Sequence, residues 1–170
     1  MEALLKSIHS GVIQANVLAV ISNKPTALGL ETAKRFGTEC IVEENLDNLD
    51  SVLTTYSPDL ICLAGFMRIL PPNITAKYTI MNIHPSLLPL YPGLRAPNQA
   101  IKAKAKYSGC TVHFVEEGVD TGPIILQAVV PVLDSDTPEI LADRILGQEH
   151  IIYSQAVNAF IQGRLSRTPV

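Results

Sequence analysis

Short apolar runs rich in β-branched residues alternate with segments of helical spacing along this chain, and no other feature restricts its fold as much. The runs are NVLAVIS (16–22), CIV (40–42), DLICLAG (59–65), TIMNI (79–83), TVHFV (111–115) and IILQAVVPV (124–132), and each reads as a strand. Between the early runs lie MEALLKSIHSG with Gly11 as a stop, TALGLETAKRFG with Thr26 as N-cap and Gly37 as C-terminal stop, and LDNLDSVLTTY ending before Pro58. A helix between consecutive strands is a crossover, and crossovers build a parallel sheet with helices on both of its faces.

The pattern changes towards the C-terminus. TVHFV and IILQAVVPV are joined by the turn-forming stretch EEGVDTGP, which suits an antiparallel pair. One long closing helix is predicted from Thr137 to about Gly163, with Thr137 as cap, Pro138 in the first turn and Ile140, Leu141, Ile145, Ile151, Ile152, Ala156 and Phe160 at helical spacing. No repeat, low-complexity tract or linker interrupts the plan. The expectation is a single α/β domain over residues 1–170, with a mostly parallel sheet and an antiparallel C-terminal part.

Length and charge narrow the function. A domain of 170 residues buries roughly 70% of the surface its unfolded chain exposes, so one core is expected. Hydrophobic residues make up 47% of the chain, yet there is no uninterrupted apolar run of the ~20 residues needed to span a bilayer, which argues against a membrane. A net charge of −3 gives no broad basic surface for nucleic acid, while leaving room for a small anionic ligand held locally. Cys40, Cys62 and Cys110 have neither metal-ligand spacing nor an even count for disulfides, and no metal site is expected. These thiols, and a start without a secretory pattern, lead us to expect a cytoplasmic protein.

The stretch MNIHPSLLPLYPG (81–93) carries the chemistry. Residues two apart on a strand project to the same side, so Asn82 and His84 emerge together at the carboxyl end of TIMNI, where open α/β sheets bind their ligands. Pro85, Pro89 and Pro92 stiffen the loop that follows. The same spacing also fits a turn cap, a satisfied imidazole and prolines that merely end a strand. Asp120, on the turn between the last two strands, can reach an imidazole and favour its charged form, or can bond its own turn backbone.

Three blocks, LAGFMRIL (63–70), NIHPSLLPLYPG (82–93) and GCTVHFVEEGVDTGPIILQ (109–127), resemble the phosphoribosylglycinamide formyltransferase family, in order and with similarity from Met1 to about Leu165. The resemblance implies a Rossmann-like formyltransferase fold and transfer of a formyl group from 10-formyltetrahydrofolate to the amine of glycinamide ribonucleotide, in purine biosynthesis. It implies Asn82, His84 and Asp120 as the catalytic trio, with Asn82 also at the folate. It further implies Met67, Arg68, Ile69 and Leu70 as the folate-pocket segment and Glu149 as a contact to the ribose of the ribonucleotide. Taken singly, Ile69 and Leu70 equally fit core packing and Glu149 a solvated helix face. His113, alternating with Val112 and Phe114, is read as structural or as a support behind the site residues.

The chain departs from the family in two places. RAPNQ (95–99) stands where the family usually has a histidine-containing stretch. The family also opens with an apolar strand and a Gly-Ser-Asn-rich loop that holds the ribonucleotide phosphate, whereas MEALLKSI reads as the helix after that loop. The first, central strand is therefore expected to be missing from these residues, with unpaired edges beside it, either because the true start lies upstream or because this is a truncated relative with weaker nucleotide binding. Two other readings share the blocks: a 10-formyltetrahydrofolate hydrolase, which usually has HHSFLP where this chain has HPSLLP, and an inactive or binding-only relative that keeps the folate crevice. Methionyl-tRNA formyltransferase needs a further C-terminal domain.

Overall fold

The computed structural model describes residues 1–165, with helices and strands alternating through the first half of the chain. Helix α1 (Glu2–His9) leads to β1 (Val20–Ser22), α2 (Leu28–Arg35), β2 (Cys40–Val42), a 3-10 turn (Leu46–Asn48), α3 (Leu49–Tyr56) and β3 (Ile61–Cys62). Then follow α4 (Pro72–Lys77), β4 (Ile80–His84), α5 (Ala96–Lys102), β5 (Tyr107–Phe114), β6 (Ile124–Pro131) and α6 (Pro138–Ile161). Ladders β1/β2 and β3/β4 are parallel; β4/β5 and β5/β6 are antiparallel. The mixed α/β fold with its antiparallel C-terminal part is thus the one the alternation predicts.

Helices cover both faces of the sheet. Met81 packs with Leu4, Ala100, Leu141, Ile145 and Tyr153 from α1, α5 and α6, whereas its neighbour Ile80 packs with Leu53 of α3 and Ile74 of α4. Adjacent strand residues point to opposite faces, so β4 is buried from both sides, as parallel α/β sheets require. Tyr153 fastens α6 to the sheet: its hydroxyl lies 2.8 Å from the Leu63 carbonyl, just past β3, and 2.9 Å from that of Met81, within β4.

Two strands are shorter than their apolar runs. Only 20–22 of 16–22 and 61–62 of 59–65 form ladders, because among the described residues β1 pairs with β2 alone and β3 with β4 alone, which leaves a gap between β1 and β3. Conversely β5 begins at Tyr107, since Tyr107 to Cys110 find partners on β6 that their own composition does not announce. Thr137 caps α6, its Oγ1 accepting from the Ile140 N–H at 3.3 Å, as predicted. Thr26 does not cap α2: the Ala27 N–H donates to the Lys24 carbonyl, so Thr26 is used in that turn and the helix starts at Leu28. Helices α4 and α5, of 6 and 7 residues, are too short to leave a periodic signal in the sequence.

Candidate active site

The end of β4 brings the predicted trio together. Asn82 lies opposite His113 and His84 opposite Thr111 in the antiparallel ladder with β5, so these four side chains share one face at the carboxyl end of β4. Beyond β5 the chain turns back through Glu116–Pro123 and places Asp120 against the two histidines. The Asp120 Oδ2 lies 3.2 Å from His84 Nδ1, and its Oδ1 lies 3.6 Å from His113 Nε2. The Gly93 N–H donates to the same Oδ2 at 2.8 Å, which joins this turn to the proline-rich loop.

Backbone conformation aims the carboxylate. Asp120 has φ of 55°, a left-handed conformation tolerated best by glycine and by short polar side chains. Two residues on, a Cβ on Gly122 would stand 1.9 Å from the Phe114 carbonyl oxygen, so only glycine lets the turn close this tightly on β5. Burial pushes the Asp120 carboxyl upward, but the adjacent His113 ring, the Gly93 N–H and the charge of the His84 imidazole together hold it below the ordinary carboxylate value. The carboxylate is therefore ionised at neutral pH.

His84 is enclosed. Only 5% of it is exposed, where the sequence suggests an imidazole at the mouth of a crevice; the loop from Pro85 to Gly93 folds over it. Its Nε2 lies 2.9 Å from the Tyr91 carbonyl oxygen while its Nδ1 faces the Asp120 carboxylate. A carbonyl oxygen only accepts hydrogen bonds, so the Nε2 contact places a proton on that nitrogen, while Nδ1 stands within ion-pair distance of the carboxylate.

The loop over His84 is tied down from beneath. The Thr111 hydroxyl donates to the Ser86 carbonyl at 2.6 Å and accepts from the Leu88 N–H at 3.0 Å. Gln127 on β6 donates to Thr111 Oγ1 and to the Leu88 carbonyl, both at 2.9 Å. From the other end, Gln99 Nε2 donates to the Pro92 and Leu94 carbonyls at 3.1 and 3.0 Å, so RAPNQ is a clamp on this loop as well as the start of α5.

His113, read from the sequence as structural or as a support behind the site, stands against Asn82 and Asp120. Its Nδ1 lies 2.8 Å from the Phe114 carbonyl oxygen, which fixes the proton there, and its Nε2 lies 3.3 Å from Asn82 Nδ2. The carbonyl can only accept, so Nδ1 carries a proton and donates to it, while Nε2 faces both the Asn82 amide and the Asp120 carboxylate. Alternation already sets His113 apart from Val112 and Phe114; what was missing was its partner across the ladder.

The remaining predicted residues stand apart from this cluster. Met67 and Ile69 are exposed after β3, and Arg68 Nη1 donates to the Glu44 carbonyl at 3.0 Å. Leu70 is buried with Leu53, Ile74 and Tyr78, so its side chain is committed to packing. Glu149, on α6, is partly buried; burial raises its carboxyl above the ordinary value against the pull of the Met1 amine. A cleft of about 1520 Å³ is lined by Met67, Arg68 and Leu70 and by none of Asn82, His84 and Asp120. Among the described residues no group of three or more His, Cys, Asp or Glu is placed to hold a metal ion, and no helix is long and apolar enough to cross a membrane.

The sequence matches the Formyl transferase family over residues 1–157. This chain belongs to the formyl transferase family. Within it, the chain is 39% identical over 176 residues to the phosphoribosylglycinamide formyltransferase of Escherichia coli, covering 97% of this chain and 83% of that protein. It is 45% identical over 168 residues to the trifunctional purine biosynthetic protein adenosine-3 of Drosophila melanogaster, covering 92% of this chain but only 12% of that longer protein. Among solved formyl transferase structures, glycinamide ribonucleotide transformylase 1 from Symbiobacterium toebii superposes with a TM-score of 0.94 at 45% identity, over 97% of this chain and 83% of that one. The phosphoribosylglycinamide formyltransferase from Anaplasma phagocytophilum gives 0.92 at 43% identity, over 97% and 82%.

Proposed function

We propose that this chain transfers the formyl group of 10-formyltetrahydrofolate to the amine of glycinamide ribonucleotide, a step in purine biosynthesis. The observation that carries this reading is the Asn82, His84 and Asp120 cluster at the carboxyl end of β4, in a chain related over nearly its whole length to enzymes named for that activity.

Both reactants are substrates, and the residues supply their environment. The amine nitrogen attacks the formyl carbon, and the carbonyl electrons move onto its oxygen. The C–N bond to the folate then breaks as the tetrahedral intermediate collapses, and one proton passes from the amine to the folate nitrogen. Asn82 offers an amide N–H to the developing oxyanion, the kind of interaction that strengthens as charge builds. His84, charged beside Asp120, supports that oxyanion and donates to it directly once substrate replaces the Tyr91 carbonyl as its partner. Asp120, held ionised, keeps the imidazole charged and carries the proton between nitrogens, directly or through a water.

We assign Met67, Arg68, Ile69 and Leu70, together with Asn82, to the folate, with exposed Met67 and Ile69 supplying apolar surface for a flat ring and the main chain supplying polar contacts. Glu149 we assign to the ribose of the ribonucleotide. The polypeptide of residues 1–170 is read as one formyl transferase domain, working in the cytoplasm with its cysteines as free thiols. The test is release of tetrahydrofolate from 10-formyltetrahydrofolate with and without glycinamide ribonucleotide. Release that needs the ribonucleotide supports transfer; equal release in its absence makes the chain a hydrolase.

A further inference from the structure

Residues 91–95 reach both sides of the His84 ring, once directly and once through Asp120. The Tyr91 carbonyl stands 2.9 Å from His84 Nε2, and the Gly93 N–H donates at 2.8 Å to the Asp120 oxygen that lies 3.2 Å from His84 Nδ1. The backbone does not hold this shape unaided. Tyr91, Gly93 and Arg95 have φ of 55°, 75° and 58°, and left-handed backbone at a tyrosine or an arginine persists only where surrounding contacts impose it. Ser86, Thr111 and Gln127 bond main-chain groups in the earlier half of the loop, residues 86–90.

The later half is held by Gln99. Its Nε2 donates to the Pro92 carbonyl at 3.1 Å and to the Leu94 carbonyl at 3.0 Å, which brackets Gly93. The Pro92 carbonyl and the Gly93 N–H belong to one planar peptide unit and point in opposite directions across it. Gln99 therefore grips one end of the peptide whose other end grips Asp120, and a rotation of that peptide breaks both bonds together. Gln99 itself stands on α5, which Ala96, Pro97 and Ala100 anchor in the interior. Both carbonyls only accept, so an amide nitrogen with two hydrogens suits the position, and neither an ionised carboxylate nor a thioether can replace it.

We propose that Gln99 is a positioning residue for formyl transfer, one that sets the Asp120 carboxylate against His84 through the peptide joining Pro92 to Gly93. This role rests on the part Asp120 takes in the proposed reaction. The Gly93 N–H is one of the contacts that favour the ionised carboxylate, beside the His84 and His113 rings that face it. A peptide free to turn weakens that bond, so the carboxylate drifts from Nδ1 and protonates more readily.

The test variant is Gln99→Met, which keeps the length of the side chain and removes both donors. Gln99 is only half-buried, so the freed carbonyls can take water and the variant is expected to fold, with Tm measured on each preparation. Turnover is followed as tetrahydrofolate release in the presence of glycinamide ribonucleotide. The acid titration of Asp120 is followed by NMR on chain carrying carbon-13 at its aspartate carboxyls, without either substrate. We expect kcat to fall about tenfold, KM for both substrates to stay within about twofold, and the Asp120 titration to move up towards the ordinary carboxylate value. In an Asp120→Asn background, Gln99→Met is expected to cost less than about twofold more, since the group it positions is gone. An unmoved Asp120 titration, a moved titration with wild-type kcat, or the full loss repeated in the Asp120→Asn background would overturn the role. The NMR titration needs no turnover, so its result stands apart from whether the chain transfers a formyl group.

Discussion

The Asp120 carboxylate stands 3.2 Å from His84 Nδ1, while the opposite nitrogen of that ring meets the Tyr91 carbonyl at 2.9 Å. The imidazole is thereby held between two acceptors in an almost dry site.

Replacing His84 with alanine is expected to lower kcat by roughly 10²-fold or more, since the oxyanion loses its charged neighbour. Because the ring is buried, the change also leaves the Tyr91 carbonyl and the Asp120 carboxylate short of a partner, costing about 1–3 kcal/mol. Thermal unfolding and turnover measured on the same preparation separate the two effects. A stable His84→Ala variant with near-normal turnover would remove His84 from the chemistry.

Asp120→Asn keeps the shape and can still accept from the Gly93 N–H, but it loses the charge facing both imidazoles. We expect a loss of roughly 10²-fold in kcat with an altered pH–rate profile. The folded carboxyl titrates below its ordinary value, so its stabilising contribution is present above the ordinary carboxylate range and is lost as pH falls through the folded value. The Tm gap between wild type and Asp120→Asn should therefore be widest near neutrality and narrow below about pH 4. A gap that stays constant with pH would show the carboxylate to be a turn residue only.

Much of this site was legible before any coordinates. Asn82 and His84 share a side because strands have a period of two, and the turn residues around Asp120 mark a reversal next to them. The sequence pattern cannot register one strand against another, which is why His113 stayed between a structural and a supporting reading and why Thr111 and Gln127 carried no signal at all. It also cannot report how a loop closes: His84 is buried because Pro85–Gly93 folds over it, a tertiary event. In the fold, long periodic segments such as α6 were readable to their cap, whereas the ends of β1 and β3 depend on partners, and α4 and α5 are shorter than the period analysis needs.

Thr111→Val tests the tether beneath the loop. The substitution removes the donor to the Ser86 carbonyl and the acceptor of two N–H groups, all at a fully buried position. A loss of about 1–3 kcal/mol in stability is expected from the stranded groups. If the tether holds His84 in place, kcat falls while the pH–rate profile keeps its position, because no titrating group has been altered. A shifted profile would instead give Thr111 a part in proton transfer.

Glu149→Gln is expected to raise KM for glycinamide ribonucleotide several-fold and leave kcat within about twofold, as befits a contact made equally in ground and transition states. Its carboxyl titrates above the ordinary value, so it contributes stability below the ordinary carboxylate range and loses it as pH rises through the folded value. The variant should accordingly be less sensitive to pH between about 4 and 7 in Tm. An unchanged KM would leave Glu149 with a structural part alone.

The central claim is that the cluster around His84 moves a formyl group onto the amine of glycinamide ribonucleotide. Mass spectrometry of the ribonucleotide after incubation with 10-formyltetrahydrofolate bearing an isotopic label in its formyl carbon tests this most directly. The account predicts a labelled formyl group on the ribonucleotide amine with the wild-type chain, and its loss in His84→Ala and Asp120→Asn. Labelled formate with an unmodified ribonucleotide, or equal labelling by the two variants, would contradict it.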